Sequence, residues 1–225
     1  MKVTHLGQAG LLFEKDSIRI MIDPYLSDSI AAINPKSQRK VAVNEEIFGI
    51  KPDIMIFTHN HMDHYDPETV GRFIGENSNV TVLAPASVWG EVRKFGGNNN
   101  YVLFNRHTEW SAHELTFKAI KAEHSDPTAI GIIIYDKDKK CYITGDTLYN
   151  TEIFDDLPLD IDYIFLPVNG KGNNMNMTYA SRFVMRVGAK TAVPIHIGMF
   201  DNISPNDFPC NNKMILNAYE CGLIW

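Results

Sequence analysis

The chain lacks the features that would place it in a bilayer, outside the cell or on a nucleic acid. No apolar run approaches a membrane span. Strand-like sequence starts at once, with no basic-then-apolar leader before it, which predicts a cytoplasmic protein. The three cysteines, Cys141, Cys210 and Cys221, are odd in number and show no C-x-x-C spacing. They read as free thiols of a reducing compartment, not as a disulfide framework or a thiolate metal site. Cationic blocks are also missing. The formal net charge is −6, and the two most basic stretches, Lys36–Lys40 and Lys137–Lys140, are short, the second broken by Asp138. A nucleic-acid partner needs a basic surface, so none is expected. What is present suits a packed interior: 44% of the 225 residues are apolar, enough for a single domain over 1–225 with a core on both faces of two sheets.

Histidine is where the sequence is concentrated. Thr58-His59-Asn60-His61-Met62-Asp63-His64 puts three imidazoles and one carboxylate within six residues. It follows Ile54-Met55-Ile56-Phe57, a short apolar run after Lys51-Pro52-Asp53 that reads as a buried strand. The motif is then the loop at the strand's carboxyl end, where open α/β sheets place their sites. An H-x-H-x-D-H loop can send His59 and His61 to one metal ion, and Asp63 and His64 to a neighbouring one. Imidazole and carboxylate are ligands for Zn²⁺ and similar divalent ions. Without an ion, groups this crowded repel as cations or must be desolvated as neutrals.

Further ligands follow other strands. His124 comes after the alternating segment Leu115–Ala122, Asp146 ends Ile143-Thr144-Gly145, and His196 ends Thr191–Ile195. Each alone has an ordinary reading: surface histidine, turn residue, satisfied core histidine. Together with the loop they make five histidines and two aspartates at the ends of strands, able to meet on one rim of a sheet.

In that order, His59, His61, Asp63, His64, His124, Asp146 and His196 match the ligand positions of the metallo-β-lactamase-fold hydrolases, which the chain resembles over nearly its whole length. Val3–Gly10 and Ile18–Pro24 look like that family's first hairpin and its Asp-Pro turn. Within the family, Leu166–Lys171, Asn176–Tyr179 and Pro194–Phe200 look most like the branch containing L-ascorbate-6-phosphate lactonase and related metal-dependent hydrolases. Gln8 stands where many relatives of that branch carry a histidine, the segment after His124 lacks a Gly-rich follow-up, and the chain is shorter than those lactonases.

Strands are predicted at 2–6, 10–14, 18–22, 53–58, 80–84, 101–104, 115–122, 129–136, 140–144, 161–166 and 190–195, and helices at 67–76, 86–95, 178–188 and 205–220. Pro67 and Pro205 suit first helical turns and Thr178 an N-cap. Strands then helices occur in 1–105 and again in 106–225, which fits an α/β, four-layer αββα sandwich of two similar halves. The polar stretch Asn34–Lys40 reads as a mobile flap near the site or, the preferred reading, a solvated loop.

The resemblance implies one ion on His59, His61 and His124, a second on Asp63, His64 and His196, and Asp146 bridging them. One or two ions, Zn²⁺ or Mn²⁺, are expected: imidazole favours zinc by affinity, and the lactonase branch implies manganese. A water on such an ion has its pKa lowered from about 15.7 towards ~7, giving hydroxide aimed at a carbonyl carbon or phosphorus. Asp63 and Asp146 are the expected catalytic residues, with Asp63 also taking up and orienting protons. Asp23 resembles the carboxylate that fixes a ligand imidazole's tautomer, and equally reads as an Asp-Pro turn residue. Asn169 and Lys171 are candidate contacts for an anionic substrate. Tyr25, Tyr65 and Phe200 flank the motif loops, as pocket walls or as core. The leading function is hydrolysis of a small ester, lactone or phosphorylated molecule; the alternative is a nuclease or phosphodiesterase. A flavin-linked redox role is disfavoured by His61, and a secreted β-lactamase by the missing leader. The expected partner is a small molecule, without membrane or nucleic acid; a homo-oligomer is compatible.

Overall fold

A computed structural model describes residues 1–75, 78–199 and 202–225. Two sheets face each other. The first has the strand order β13-β1-β2-β3-β4-β5-β6, the second β12-β11-β10-β9-β8-β7. The first sheet opens as an antiparallel meander of β1 (Lys2–Gly7), β2 (Gly10–Lys15) and β3 (Ile18–Ile22). It continues in parallel through β4 (Ile54–Ile56), β5 (Thr81–Ala84) and β6 (Asn100–Leu103). A short helix α1 (Ser29–Ile33) lies in the β3–β4 connection, and the next two crossovers carry α2 (Pro67–Phe73) and α3 (Ala86–Val92). The second sheet repeats the plan. β7 (Glu109–Ala112), β8 (Leu115–Lys121), β9 (Ile130–Asp136) and β10 (Lys139–Ile143) run antiparallel. β11 (Tyr163–Pro167) and β12 (Thr191–Ile195) then run parallel, with α4 (Met177–Val187) between them. β13 (Cys221–Leu223) returns to pair antiparallel with β1 in the first sheet.

The alternation of side chains along each strand builds the layers. In β4, Ile54 and Ile56 enter the core between the sheets, while Met55 faces the helices outside the first sheet. In β9, Ile132 and Ile134 point between the sheets and Ile133 points to the other face. Phe13 meets Phe165 edge-on across the middle layer, ring centroids 5.6 Å apart. Val70 and Phe73 of α2 and Val88 and Val92 of α3 cover the outer face of the first sheet. Ala180, Phe183 and Val184 of α4 cover that of the second. The result is the four-layer αββα sandwich that the order of elements predicts. Both core strands must be apolar on two faces, and each buried aliphatic or aromatic side chain contributes about 1.5–3 kcal/mol.

Pro67 occupies the first turn of α2, whose N-cap is Asp66: its carboxylate accepts from the amides of Glu68 and Thr69. The helix ends at Phe73, short of the expected 76, which lies outside the described residues. α4 is capped by Asn176, whose side chain accepts from Tyr179 N, so Thr178 is inside the helix and not its cap. The largest departure is at 205–220. Only Pro205–Asp207 forms a 3-10 turn. Pro209 cannot donate and holds Phe208 in extended backbone. The following chain instead gives its hydrogen bonds to β12, through Ala192 N to Asn212 O at 2.9 Å and Met214 N to Ala192 O at 2.9 Å. The 34–40 stretch is solvated except at Ser37 and Arg39. Ser37 is buried, and Arg39 donates to the carbonyls of Tyr25 and Leu6 and to Tyr219 Oη.

Among the described residues no helix is long and apolar enough to cross a membrane.

Candidate metal centre

All seven candidate ligands sit on loops leaving the carboxyl ends of strands, so the fold gathers them on one rim. His59, His61, Asp63 and His64 follow β4, His124 follows β8, Asp146 follows β10 and His196 follows β12. The turn before Asp146 needs glycine. Gly145 has φ +60°, and a Cβ there would lie 2.8 Å from Ile130 O and 2.9 Å from Thr58 Cβ. Asp146 is thereby pressed against the histidine loop. Gln8, Asp23 and His196 also adopt positive φ, 51°, 46° and 63°, without being glycines. Such conformations cost about 1–3 kcal/mol each and collect at functional sites.

Two donor groups result. His59, His61 and His124 bring one ligand atom each within 4.8 Å of one another, and so do Asp63, His64 and His196. Asp146 stands beside the second group and near the first: Oδ1 is 3.2 Å from His64 Nε2 and Oδ2 is 3.3 Å from His196 Nε2. The outward hydrogen bonds fix which nitrogen of each ring faces in. His59 Nδ1 meets Thr58 Oγ1 at 3.0 Å, His64 Nδ1 meets Asp23 Oδ2 at 2.8 Å, and His124 Nδ1 meets Asn173 O at 3.2 Å. Nε2 of these three rings is left for the centre. His61 is reversed, with Nδ1 facing His124 Nε2 at 3.1 Å.

This donor set fits divalent cations. His59 Nε2 is buried and makes no hydrogen bond, which is costly unless something electropositive meets it. Ring nitrogens face each other at 3.1 Å in the His61–His124 and His64–His196 pairs. Ring nitrogens this close repel when both carry lone pairs or both carry protons, and a cation between them turns repulsion into ligation. Asp23 is within ligand distance of His59 and His64, but it is already engaged from behind. Its Oδ1 accepts from Thr58 N at 2.8 Å, and its Oδ2 from Thr58 Oγ1 and His64 Nδ1.

The electrostatics show how finely the groups are balanced. Burial lowers the His59 pKa well below the usual value, and neighbouring His64 lowers it further. Burial would do the same to His64, but the carboxylates of Asp146, Asp63 and Asp23 outweigh it and hold that imidazole well above its ordinary value. His196 is also raised, to about 9, because Asp146 and Asp63 overcome its burial. Burial would raise Asp63 and Asp146; His64 and His196 instead keep both carboxyls well below the usual carboxylate range. The carboxylates therefore stand ionised. One divalent cation that replaces the two protons of His64 and His196 leaves this charge balance intact.

A cavity of about 370 Å³ opens onto the centre, with His61, Asp63, His124, Asp146 and His196 in its wall and Lys171 at its edge. Lys171 is exposed. Asn169 lies elsewhere: it is buried, its Nδ2 is 3.0 Å from His196 Nδ1 and its Oδ1 accepts from Lys171 N. It sits behind a ligand and supports the lysine loop. Tyr25 and Tyr65 are buried, Tyr65 edge-on to Phe57 in the helix-facing layer; Phe200 lies outside the described residues.

Several supporting residues escape a reading of the sequence. Thr58 links Asp23 to His59. Asn174 donates to Asp146 Oδ2 at 2.6 Å and accepts from Thr147 N. Asp126 ties two ligand loops together, accepting from Asn60 N at 3.2 Å and from Thr128 N at 2.8 Å. Thr58 adjoins the histidine motif and Asp126 follows His124 by two residues; Asn174, in a polar Gly/Asn loop, carries no spacing signal.

Residues 18–197 match the beta-lactamase superfamily domain. The chain belongs to this superfamily. A UPF0173 protein of Pyrococcus furiosus is 26% identical over 211 residues, covering 92% of this chain and 89% of its own. A UPF0173 metal-dependent hydrolase of Staphylococcus carnosus is 25% identical over 243 residues, covering 100% of this chain and 96% of its own. Among solved structures, Igni18, a metallo hydrolase from the archaeon Ignicoccus hospitalis, superposes with a TM-score of 0.77 at 21% identity, covering 98% of this chain and 97% of its own. An isothiocyanate hydrolase from Delia radicum gut bacteria gives 0.77 at 20% identity, with each chain fully covered. The solved structures share the superfamily's fold with this chain.

Proposed function

We propose that this superfamily member is a metal-dependent hydrolase with a two-ion centre, acting on a small ester, lactone or phosphate ester that bears a negative charge. One observation carries the reading: two three-residue donor groups lie side by side, with Asp146 against His64 and His196 of the second and with His59 Nε2 buried and unpaired. Divalent ions bound there supply Lewis acidity, lowering the pKa of water and stabilising charge on a substrate oxygen. The chain's own residues do the rest. His59, His61 and His124 would hold one position and Asp63, His64 and His196 the other, and Asp146 would serve both. Asp63 and Asp146 present ionised carboxylates to the cavity wall. There Asp63 accepts a hydrogen bond from water and orients it towards the reacting carbon or phosphorus. Lys171 meets the substrate's anionic group at the rim. The names of the UPF0173 relatives support hydrolysis in general, and likeness to the ascorbate-phosphate lactonases speaks for a lactone within the proposed class. Affinity order favours Zn²⁺ over Mn²⁺ at an imidazole-rich site, and the resemblance to the lactonase branch makes Mn²⁺ the alternative.

The experiment is a screen of lactones, carboxylic esters and phosphate mono- and diesters on protein loaded with Zn²⁺ or Mn²⁺, alongside labelled RNA titrated at several salt concentrations. Chelator-sensitive turnover of a small ester or lactone, with weak and salt-insensitive RNA binding, is the expected result. Submicromolar RNA binding with a steep salt slope, or processive cleavage, would replace this reading with a nuclease.

A further inference from the structure

Gln8 lies in the β1–β2 turn, away in sequence from every candidate ligand, yet its amide ends inside the centre. Its backbone is tied to the segment that carries His196: His196 N donates to Gln8 O at 2.7 Å, and Gln8 bridges to Ile197. The His5 ring meets the same carbonyl, with Nε2 at 3.1 Å. The side chain is buried, and its Nε2 lies 3.0 Å from Asp63 Oδ2. A carboxylate only accepts, so the amide is the donor here. The same nitrogen is 3.2 Å from Nδ1 and 3.3 Å from Nε2 of His196. Near-equal distances place it over the ring face and on neither in-plane lone pair, so the directed hydrogen bond is the one to Asp63.

That bond has a cost. Gln8 Oε1 is buried with no hydrogen-bond partner. A hydrocarbon of the same length would leave no carbonyl unpaired. The amide is therefore in place for its N–H, and a charge-assisted N–H to carboxylate bond is among the stronger ones a neutral donor can make. Asp63 is otherwise flanked by rings: its Oδ2 is 3.1 Å from His196 Nε2 and 3.9 Å from His64 Nε2. Both rings belong to its own donor group.

We infer that Gln8 is a positioning residue that fixes the Asp63 carboxylate for the Asp63, His64 and His196 group, and so sets the affinity of that half of the centre alone. The inference rests on the metallohydrolase reading above. Partners of this kind behind a ligand change metal affinity about 10- to 100-fold when removed.

The test is Zn²⁺ titration of the wild type, Gln8→Met, Gln8→Leu and Gln8→His against a chromophoric chelator, with folding checked by circular dichroism. Wild-type protein is expected to take up two ions in resolvable steps. In whichever apolar variant is folded, one step falls by about 10- to 100-fold and the other is unchanged. Gln8→His keeps a ring N–H and restores the weakened step. Unchanged steps, equal weakening of both, failure of the histidine to restore, or failure of both apolar variants to fold overturns the inference. Failure of wild-type protein to bind a second ion is a separate result: it removes the two-ion reading itself, and this inference with it.

Discussion

Asp23 Oδ2 lies 2.8 Å from His64 Nδ1, with both side chains buried. The carboxylate fixes the tautomer of His64 and turns Nε2 towards Asp146 and His196. Its other contacts, to the amide and hydroxyl of Thr58, also brace the start of the histidine loop. Asp23→Asn keeps the shape and removes the charge. It is expected to weaken the site containing His64 by about 10- to 100-fold in metal affinity, with a smaller effect on the His59, His61 and His124 group. Competition titration separates the two steps; equal loss at both would mean that Asp23 acts only through the fold.

Asp146→Ala removes the carboxylate that contacts His64 and His196 and raises the pKa of both His59 and His124 through its charge. Both metal-binding steps are expected to weaken, and kcat/KM to fall to the level of buffer with metal. Retention of one step at wild-type affinity would show that Asp146 serves one position only.

Lys171→Ala is expected to leave metal content intact and to raise KM by about tenfold for anionic substrates, the low end for an exposed charge-assisted contact. Neutral analogues of the same substrate should be unaffected. Equal losses for charged and neutral substrates would take Lys171 out of the binding site.

His5 offers a pH dependence away from the ligands. Burial lowers its pKa below the usual imidazole value of 6.5, against the raising effect of contacts with the carbonyls of Gln8 and Leu216. The unfolded chain then binds a proton near pH 6.5 that the folded chain refuses. Stability from this residue is full above that value and declines as pH falls below it. Denaturant unfolding of wild type and His5→Gln between about pH 8 and 5 should show the wild type losing ground to the variant on the acid side. A difference that does not change with pH would contradict a neutral buried His5.

The convergence of the candidate donors could be read from the sequence because coordination chemistry concentrates such residues. The motif at 59–64 has no apolar residue but Met62, and it follows the strongest short strand of the first half. Asp146 and His196 end equally plain apolar runs. The supporting layer could not be read in this way. Gln8 and Asp63 are separated by 55 positions and Asn174 and Asp146 by 28, and nothing local marks one as the other's partner. The segment 205–220 misled for a physical reason. Phe208, Leu216 and Tyr219 have a spacing that a helix could use, but Pro209 interrupts it and β12 offers its backbone to Asn212 and Met214 instead. β13 is only three residues long, too short to announce itself before β1 is there to pair with.

The central claim, a two-ion centre built from His59, His61, Asp63, His64, His124, Asp146 and His196, is tested most directly by metal occupancy. Protein purified without chelator is analysed for transition metals, then again after exposure to Zn²⁺ or Mn²⁺ and removal of excess. The account expects two ions per chain after loading, and loss of this capacity in Asp146→Ala. Substoichiometric metal that neither ion can raise would contradict it.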